Sequence, residues 1–218
     1  MNQKISKGLL ETKSVYLNIR DPFIFPSGRI SPVYVDCRRL ISYPNIRDEV
    51  VAELVRIATD KIGLDQTDVV AGGTTGGIPY ATFLAQAINK PLIYVQKSPS
   101  GSGSNRQITG VIEKGQKVIL VEDVTADGVS VLRFKGGIEI AGGRLTHCLC
   151  VFEYRSDKFA MQDARETLSK QGIVLHSLIT WDDILDMARE ENYFTRDEYE
   201  QVLSFLKNPN HWWQNLSR

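Results

Sequence analysis

Cysteine is scarce in this 218-residue chain: Cys37, Cys148 and Cys150, an odd number with no paired CxxC spacing. That speaks against a disulfide framework and against a cysteine-bound metal. Cys148 and Cys150 lie two apart in an apolar stretch, so they share one strand face and read as core thiols of a reducing compartment. A polybasic run is also missing. Lysine plus arginine equals aspartate plus glutamate, 26 against 26, which leaves no nucleic-acid footprint but permits a local positive pocket. No apolar run approaches the roughly 20 residues that span a bilayer. Between Met1 and Ile19 the charges at Lys4, Lys7, Glu11 and Lys13 interrupt any leader-like apolar core, so no secretory leader is expected and the expected location is cytoplasmic. There is no GKS or GKT phosphate loop, no serine-triad pattern, no Cys/His cluster and no internal repeat. NTPase and hydrolase readings therefore lack support.

What is present is an α/β alternation. Val69–Ala71, Leu92–Val95, Val118–Val121, Leu145–Phe152 and Ile173–Ile179 are short apolar runs, with a helical period over Ile78–Ile88. Continuous apolar strands separated by helices predict a mainly parallel sheet flanked by helices on both faces. Val50, Val51, Leu54, Val55, Ala58 and Ile62 mark one face of an earlier amphipathic helix. Thr195 with Glu198 predicts a capping box opening a helix through Leu206, and Thr180 with Asp182 and Asp183 predicts another helix start. Phe23–Phe25 and Pro32–Asp36 flank Ser27-Gly28-Arg29 as a strand pair or irregular cap. The length suits one domain over residues 1–218, with residues 1–45 and the C-terminal helices as cap and outer elements.

Two segments carry chemistry. Gln96–Gly110 is a long polar connection containing Gly101, Gly103, Gly110 and four serines, which reads as a mobile active-site loop. Val118–Ser130, VILVEDVTADGVS, places four apolar residues, then Glu122 and Asp123, then a small-residue turn, before a helix. The turn and helix N-terminus offer unpaired N–H groups to a phosphate. The carboxylates would repel that phosphate, so they suit ribose hydroxyls or a divalent cation held through them.

That segment resembles the phosphoribosyl diphosphate signature of type I phosphoribosyltransferases. Phe25–Pro44, with its Ser-Gly-x-x-Ser-Pro core, resembles the amino-terminal segment of the orotate phosphoribosyltransferases, and Ala71–Ala81 resembles their diphosphate loop. Tyr94–Gly110 and His176–Leu185 are similar to one bacterial branch of that family. The resemblance implies transfer of phosphoribosyl from phosphoribosyl diphosphate to orotate, giving orotidine 5′-phosphate and diphosphate in pyrimidine synthesis. It implies Mg2+ held mainly through the substrate, without a confident protein ligand, and a homodimer whose loops exchange between sites; it implies neither a nucleic-acid nor a membrane partner. Asp123 and Lys97 are the expected catalytic residues. Glu122 and Asp123 would hold the ribose, and the backbone of Thr125, Ala126, Asp127, Gly128, Val129 and Ser130 the 5′-phosphate, with Val124 also in the substrate-binding segment. Thr74, Thr75 and Gly76 would line the diphosphate, with Gln96, Lys97, Ser100 and Ser102 on the loop. Ser27, Tyr34 and Val35 would lie near the orotate.

The chain departs from that branch where the chemistry is expected. Gln96, Ser98, Ser100 and Ser104 occupy positions where cations are usual, leaving Lys97 and Arg106, with Lys135 on the following helix. Ala126 replaces a usual threonine. A weakly catalytic or inactive phosphoribosyl diphosphate or nucleotide binder with a regulatory role is therefore an alternative, as is a transferase for another base. Gly136 and Gly137 fall inside a predicted helix, each costing about 0.8–1.0 kcal/mol against alanine. Arg29, Arg38 and Arg39 could balance a substrate anion. His147 and His176 read as buried structural residues, and His211-Trp212-Trp213 as packing against the body or a partner.

Overall fold

The computed structural model describes residues 2–25, 28–99, 107–159 and 164–213. Its elements in chain order are α1 (Gln3–Glu11), β1 (Val15–Leu17), β2 (Phe23–Ile24), β3 (Ile30–Ser31), β4 (Val33–Val35) and α2 (Pro44–Arg56). Then come β5 (Val69–Gly73), α3 (Gly77–Ala87), β6 (Leu92–Val95), β7 (Ile108–Thr109), β8 (Lys117–Thr125) and α4 (Val129–Ile140). The chain ends with β9 (Arg144–Glu153), α5 (Ala164–Ser169), β10 (Val174–Thr180), α6 (Trp181–Glu190) and α7 (Arg196–Lys207). Among the described residues, no helix is long and apolar enough to cross a membrane.

Six strands form the main sheet in the order β10-β9-β8-β5-β6-β7. All neighbours are parallel except β6 and β7, which run antiparallel with Val95 opposite Ile108. The alternating apolar pattern therefore gives the expected sheet. Strand β8 is longer than its apolar run because Glu122–Thr125 stay paired to β9, through Thr125 opposite Glu153. Two cores cover the two faces. One joins Leu54, Tyr80, Leu149, Trp181 and Phe205; the other joins Val69, Phe134, Cys148, Cys150 and Leu168. All three thiols are free and buried, as expected of core cysteines. Trp212 is buried and packs edge-on to Phe205.

The amino-terminal cap lies outside the main sheet, and its strands pair in two ribbons. Phe23–Ile24 does pair with Ile30–Ser31, but Val33–Val35 pairs with β1 instead, Val15 opposite Val35. The result is two small ribbons over the sheet. Thr195 forms its capping box with Glu198, as its spacing predicts.

The two helix glycines have different surroundings. A Cβ on Gly136 would meet nothing within 4 Å, whereas one on Gly137 would stand 3.0 Å from the Gln107 Cβ. Gly136→Ala should therefore recover the propensity difference, about 1 kcal/mol, and raise Tm by roughly 2–4 °C. Thermal denaturation checks this; an unchanged or lower Tm would contradict it.

Strands β9 and β10 bring the two strand histidines together, His147 Nδ1 to His176 Nε2 at 3.1 Å. Burial lowers the pKa of both; that of His176 falls to about 4, from burial first and then from the positive charges of His147, Lys61 and Arg165. Folding thus favours the neutral ring. The stability this confers is present above pH 6.5 and is lost as pH falls toward about 4. The loss of Tm over that window should shrink in His176→Gln, measured by thermal melts across pH.

Candidate active site

The carboxyl ends of the parallel neighbours β5 and β8 lie at one edge of the sheet, the edge where open α/β sheets bind ligands. Glu122 is only 4% exposed, and burial, then the neighbouring Asp123, raises its pKa well above the usual carboxylate range, with Lys97 opposing. Burial also raises the pKa of Asp123, although its own backbone N–H and that of Val124 donate to it and Arg38 lies near. Two consecutive carboxylates at the end of β8 are therefore held desolvated, leaving opposite faces of the strand. The β5 loop is shaped around them. A Cβ at Gly73 would run into the Glu122 carboxylate, and one at Gly76 into that of Asp123. Glycine is required here by close approach. Thr74 N–H donates to Val95 O at 2.9 Å, and the Thr74–Thr75 peptide is cis. Thr75 is exposed in the turn.

From Asp123 the chain enters the turn ahead of α4. Val124 and Ala126 pack their side chains against the core, and Val124 stays paired to Phe152 of β9. Thr125 is buried, and its carbonyl accepts from Tyr154 N–H at 2.8 Å. Gly128, at φ 77, precedes the helix, and Asp127 Oδ1 accepts from Val129 N–H at 3.0 Å. Val129 and Ser130 open the helix, its first turn free of acidic residues. Behind the turn, Leu168 of α5 lies against Gly128. Arg165 on the same helix is tied to the buried Glu153 at 2.8 Å, and Ser177 donates to that carboxylate at 2.7 Å. This network fixes α5 behind the turn.

The cap supplies an aromatic wall. Rings of Tyr16, Phe23 and Phe25 lie 6.3, 5.5 and 6.4 Å from Tyr34, and Phe25 meets Tyr154 edge-on at 5.4 Å. Burial raises the Tyr34 pKa, with Arg38 opposing and Asp123 adding to the rise. Tyr34 thus stands within electrostatic reach of the acid pair. The Val35 side chain is buried in the core, while its N–H donates to the Tyr154 hydroxyl at 3.0 Å.

Of the cap arginines, Arg38 is committed to Asp36 at 2.6 Å and to the Tyr34 hydroxyl at 3.1 Å, and Arg39 donates to Thr12 O at 3.1 Å. Burial raises the Tyr154 pKa well above the usual phenol range, and the charge of Arg29 is among the smaller influences opposing that rise. The sequence pattern did not bring out Tyr154 or Arg155. They follow an apolar strand, and neither belongs to a local motif; contact with Val35 and Phe25 of the cap reveals Tyr154. Arg155 forms an ion pair with Asp157. Asp182 does more than begin a helix: it accepts from Ser156 Oγ and Asp157 N–H, each at 2.6 Å, and so holds the Arg155 segment. Asp183 provides the cap contact, accepting from Thr180 N–H at 2.8 Å.

The loop after β6 begins with a tied stem. Gln96 N–H donates to Gln107 O at 2.8 Å, and Gln107 Nε2 donates to Gln96 O at 3.0 Å. Lys97 follows, exposed, with its charge felt at Glu122. Ser100, Ser102 and Ser27 lie outside the described residues, as do Ser104 and Arg106.

The acid pair, the small-residue turn before α4 and the glycine-lined β5 loop thus meet at one edge of the sheet, in the chain order of the phosphoribosyltransferase signature. Residues 42–181 match the family model described as Phosphoribosyl transferase domain. The orotate phosphoribosyltransferase of Sinorhizobium fredii is 40% identical over 212 residues, 97% of this chain and 90% of that one. The chain therefore belongs to the orotate phosphoribosyltransferase family. Among solved structures, the Aeropyrum pernix orotate phosphoribosyltransferase superposes with a TM-score of 0.69 at 28% identity, covering 84% of this chain and 97% of that one. The Leishmania donovani UMP synthase shares the fold, with a TM-score of 0.78 at 24% identity over 94% of this chain and 42% of that longer chain.

Proposed function

We propose that the protein transfers a phosphoribosyl group from phosphoribosyl diphosphate to orotate, releasing diphosphate and forming orotidine 5′-phosphate for pyrimidine synthesis. The observation that carries this is the desolvated Glu122–Asp123 pair beside a phosphate turn, under an aromatic cap, in a chain of this family. Asp123 and Glu122 accept hydrogen bonds from the ribose hydroxyls. Backbone N–H groups from Thr125 to Ser130 hold the 5′-phosphate at the start of α4. Thr74, Thr75 and Gly76 line the diphosphate. Orotate is flat and aromatic and bears a carboxylate; the wall of Phe23, Phe25 and Tyr34 offers it stacking. Arg29 and Arg155 offer it positive charge near Tyr154. As the base nitrogen bonds to the anomeric ribose carbon, diphosphate leaves with growing negative charge, which Lys97 stabilises.

Mg2+ fits this donor set as a substrate-borne ion. The desolvated carboxylates of Glu122 and Asp123 are the anionic groups that would face the ion carried by the substrate. When bound, it would neutralise part of the diphosphate charge. The reading includes a homodimer with loop exchange and a cytoplasmic location, the latter in keeping with three free buried thiols; sedimentation tests the dimer. Phosphoribosyl diphosphate with Mg2+ should raise Tm, by about 2.7 kcal/mol of linkage at a hundredfold excess over Kd. Calorimetry showing no binding at millimolar ligand would remove this function. A panel of bases should show turnover with orotate and not with purines.

A further inference from the structure

We infer that Gln107, seated against Gly137, is a positioning residue that sets the loop segment carrying Lys97. The inference rests on the reading of Lys97 as the cation facing the departing diphosphate. Both backbone polar groups of Gln96 are engaged by one residue: its N–H reaches Gln107 O at 2.8 Å, and its carbonyl accepts from the Gln107 side-chain amide at 3.0 Å. Lys97 is the next residue, so the first bond out of this clamp aims its main chain.

The clamp has a seat on the phosphate helix. A Cβ at Gly137 would stand 3.0 Å from the Gln107 Cβ, 3.1 Å from its Cδ and 3.2 Å from its Nε2. The neighbouring Gly136 has no such contact. A mid-helix glycine is unfavourable, and at Gly137 its lack of a side chain makes room for the amide that holds Gln96. Helix α4 starts at the turn assigned to the 5′-phosphate and passes beneath the loop stem. One rigid element thereby references both the phosphate turn and Lys97. A displacement of about 1 Å in a reacting group can cost about a hundredfold in rate, so this reference bears on turnover.

The test is steady-state kinetics on Gln107→Met, which keeps the bulk and removes the donor, on Gly137→Ala, on the double variant and on Lys97→Ala. Each is accompanied by calorimetric phosphoribosyl diphosphate binding and a thermal melt. We expect Gln107→Met and Gly137→Ala each to lower kcat tenfold or more, with the KM for orotate, phosphoribosyl diphosphate binding and Tm close to wild type. The double variant should be little worse than either single, because both act through one contact. Wild-type kcat in both single variants, with Lys97→Ala impaired, would overturn the inference and leave the role of Lys97 standing. Fully active Lys97→Ala would remove that role and the inference with it. Parallel losses of Tm, binding and kcat would show a merely structural contact and also overturn it.

Discussion

Glu122→Gln should produce a protein that is more stable and much less active than the wild type. Burial, then the adjacent Asp123, raises the Glu122 pKa well above its ordinary 4.5. Folding therefore favours the protonated carboxyl. That preference is fully satisfied below the unfolded pKa and is lost as pH rises through the higher folded value. At neutral pH the folded state must either keep a desolvated charge or take up a proton there, and an amide of the same shape relieves it of both costs. The expected gain is on the order of 1–2 kcal/mol, or several degrees in Tm for a chain of this size. The gain should vanish near pH 4, where the carboxyl is protonated in both states. Activity moves the other way. A hydrogen bond to a charged group contributes about 1.5–3 kcal/mol, so the loss at the ribose is expected to be about tenfold to a hundredfold. Asp123→Asn should cost activity similarly with a smaller rise in Tm, since backbone N–H groups already compensate Asp123. Thermal melts across pH, paired with kcat/KM, check both halves. A lower Tm for Glu122→Gln at neutral pH would show that the buried pair stabilises the fold instead of burdening it.

Lys97→Ala carries the second large effect. Gln96, Ser98, Ser100 and Ser104 leave Lys97 as the cation in the first part of the loop, and its charge reaches the acid pair. Its removal should lower kcat by about tenfold to a hundredfold, the worth of one charge-assisted contact made as diphosphate departs. The KM for orotate should change little. Gln96→Arg with Ser100→Lys should raise kcat, because each adds a cation for the charge that grows on the departing diphosphate. Steady-state kinetics on these proteins beside wild type decides it. An active Lys97→Ala protein and an unimproved Gln96→Arg/Ser100→Lys variant would show that another group meets the leaving diphosphate.

The parallel sheet was legible because buried parallel strands are apolar on both faces. Val118–Val121 announces β8 whatever surrounds it, and the acid pair stands out against that run. The cap was less legible. Its strands are two or three residues long, and β1 meets β4 across a separation no local pattern records. Helix α1 does carry a helical spacing, in Ile5, Leu9 and Leu10, all buried, but a leader-like reading of that stretch looks for something else. Gln107 and Tyr154 escaped because each acquires its role from a partner on another segment, Gln96 or Val35; Arg155 pairs with the nearby Asp157, and that spacing matches no local motif. Gly137 is the intermediate case: its cost in the helix was visible, whereas the Gln107 amide that gives it a reason was not.

The central claim is that the sheet edge where β5 and β8 end, together with the cap, joins orotate to phosphoribosyl diphosphate. The most direct measurement is the loss of orotate ultraviolet absorbance by purified protein, with product identified as orotidine 5′-phosphate and Mg2+ and phosphoribosyl diphosphate omitted in turn. Orotate should be consumed only with both present, and Asp123→Asn should slow it by tenfold or more. Orotate left unchanged by a protein that binds phosphoribosyl diphosphate tightly would contradict catalysis and leave a binding protein in its place.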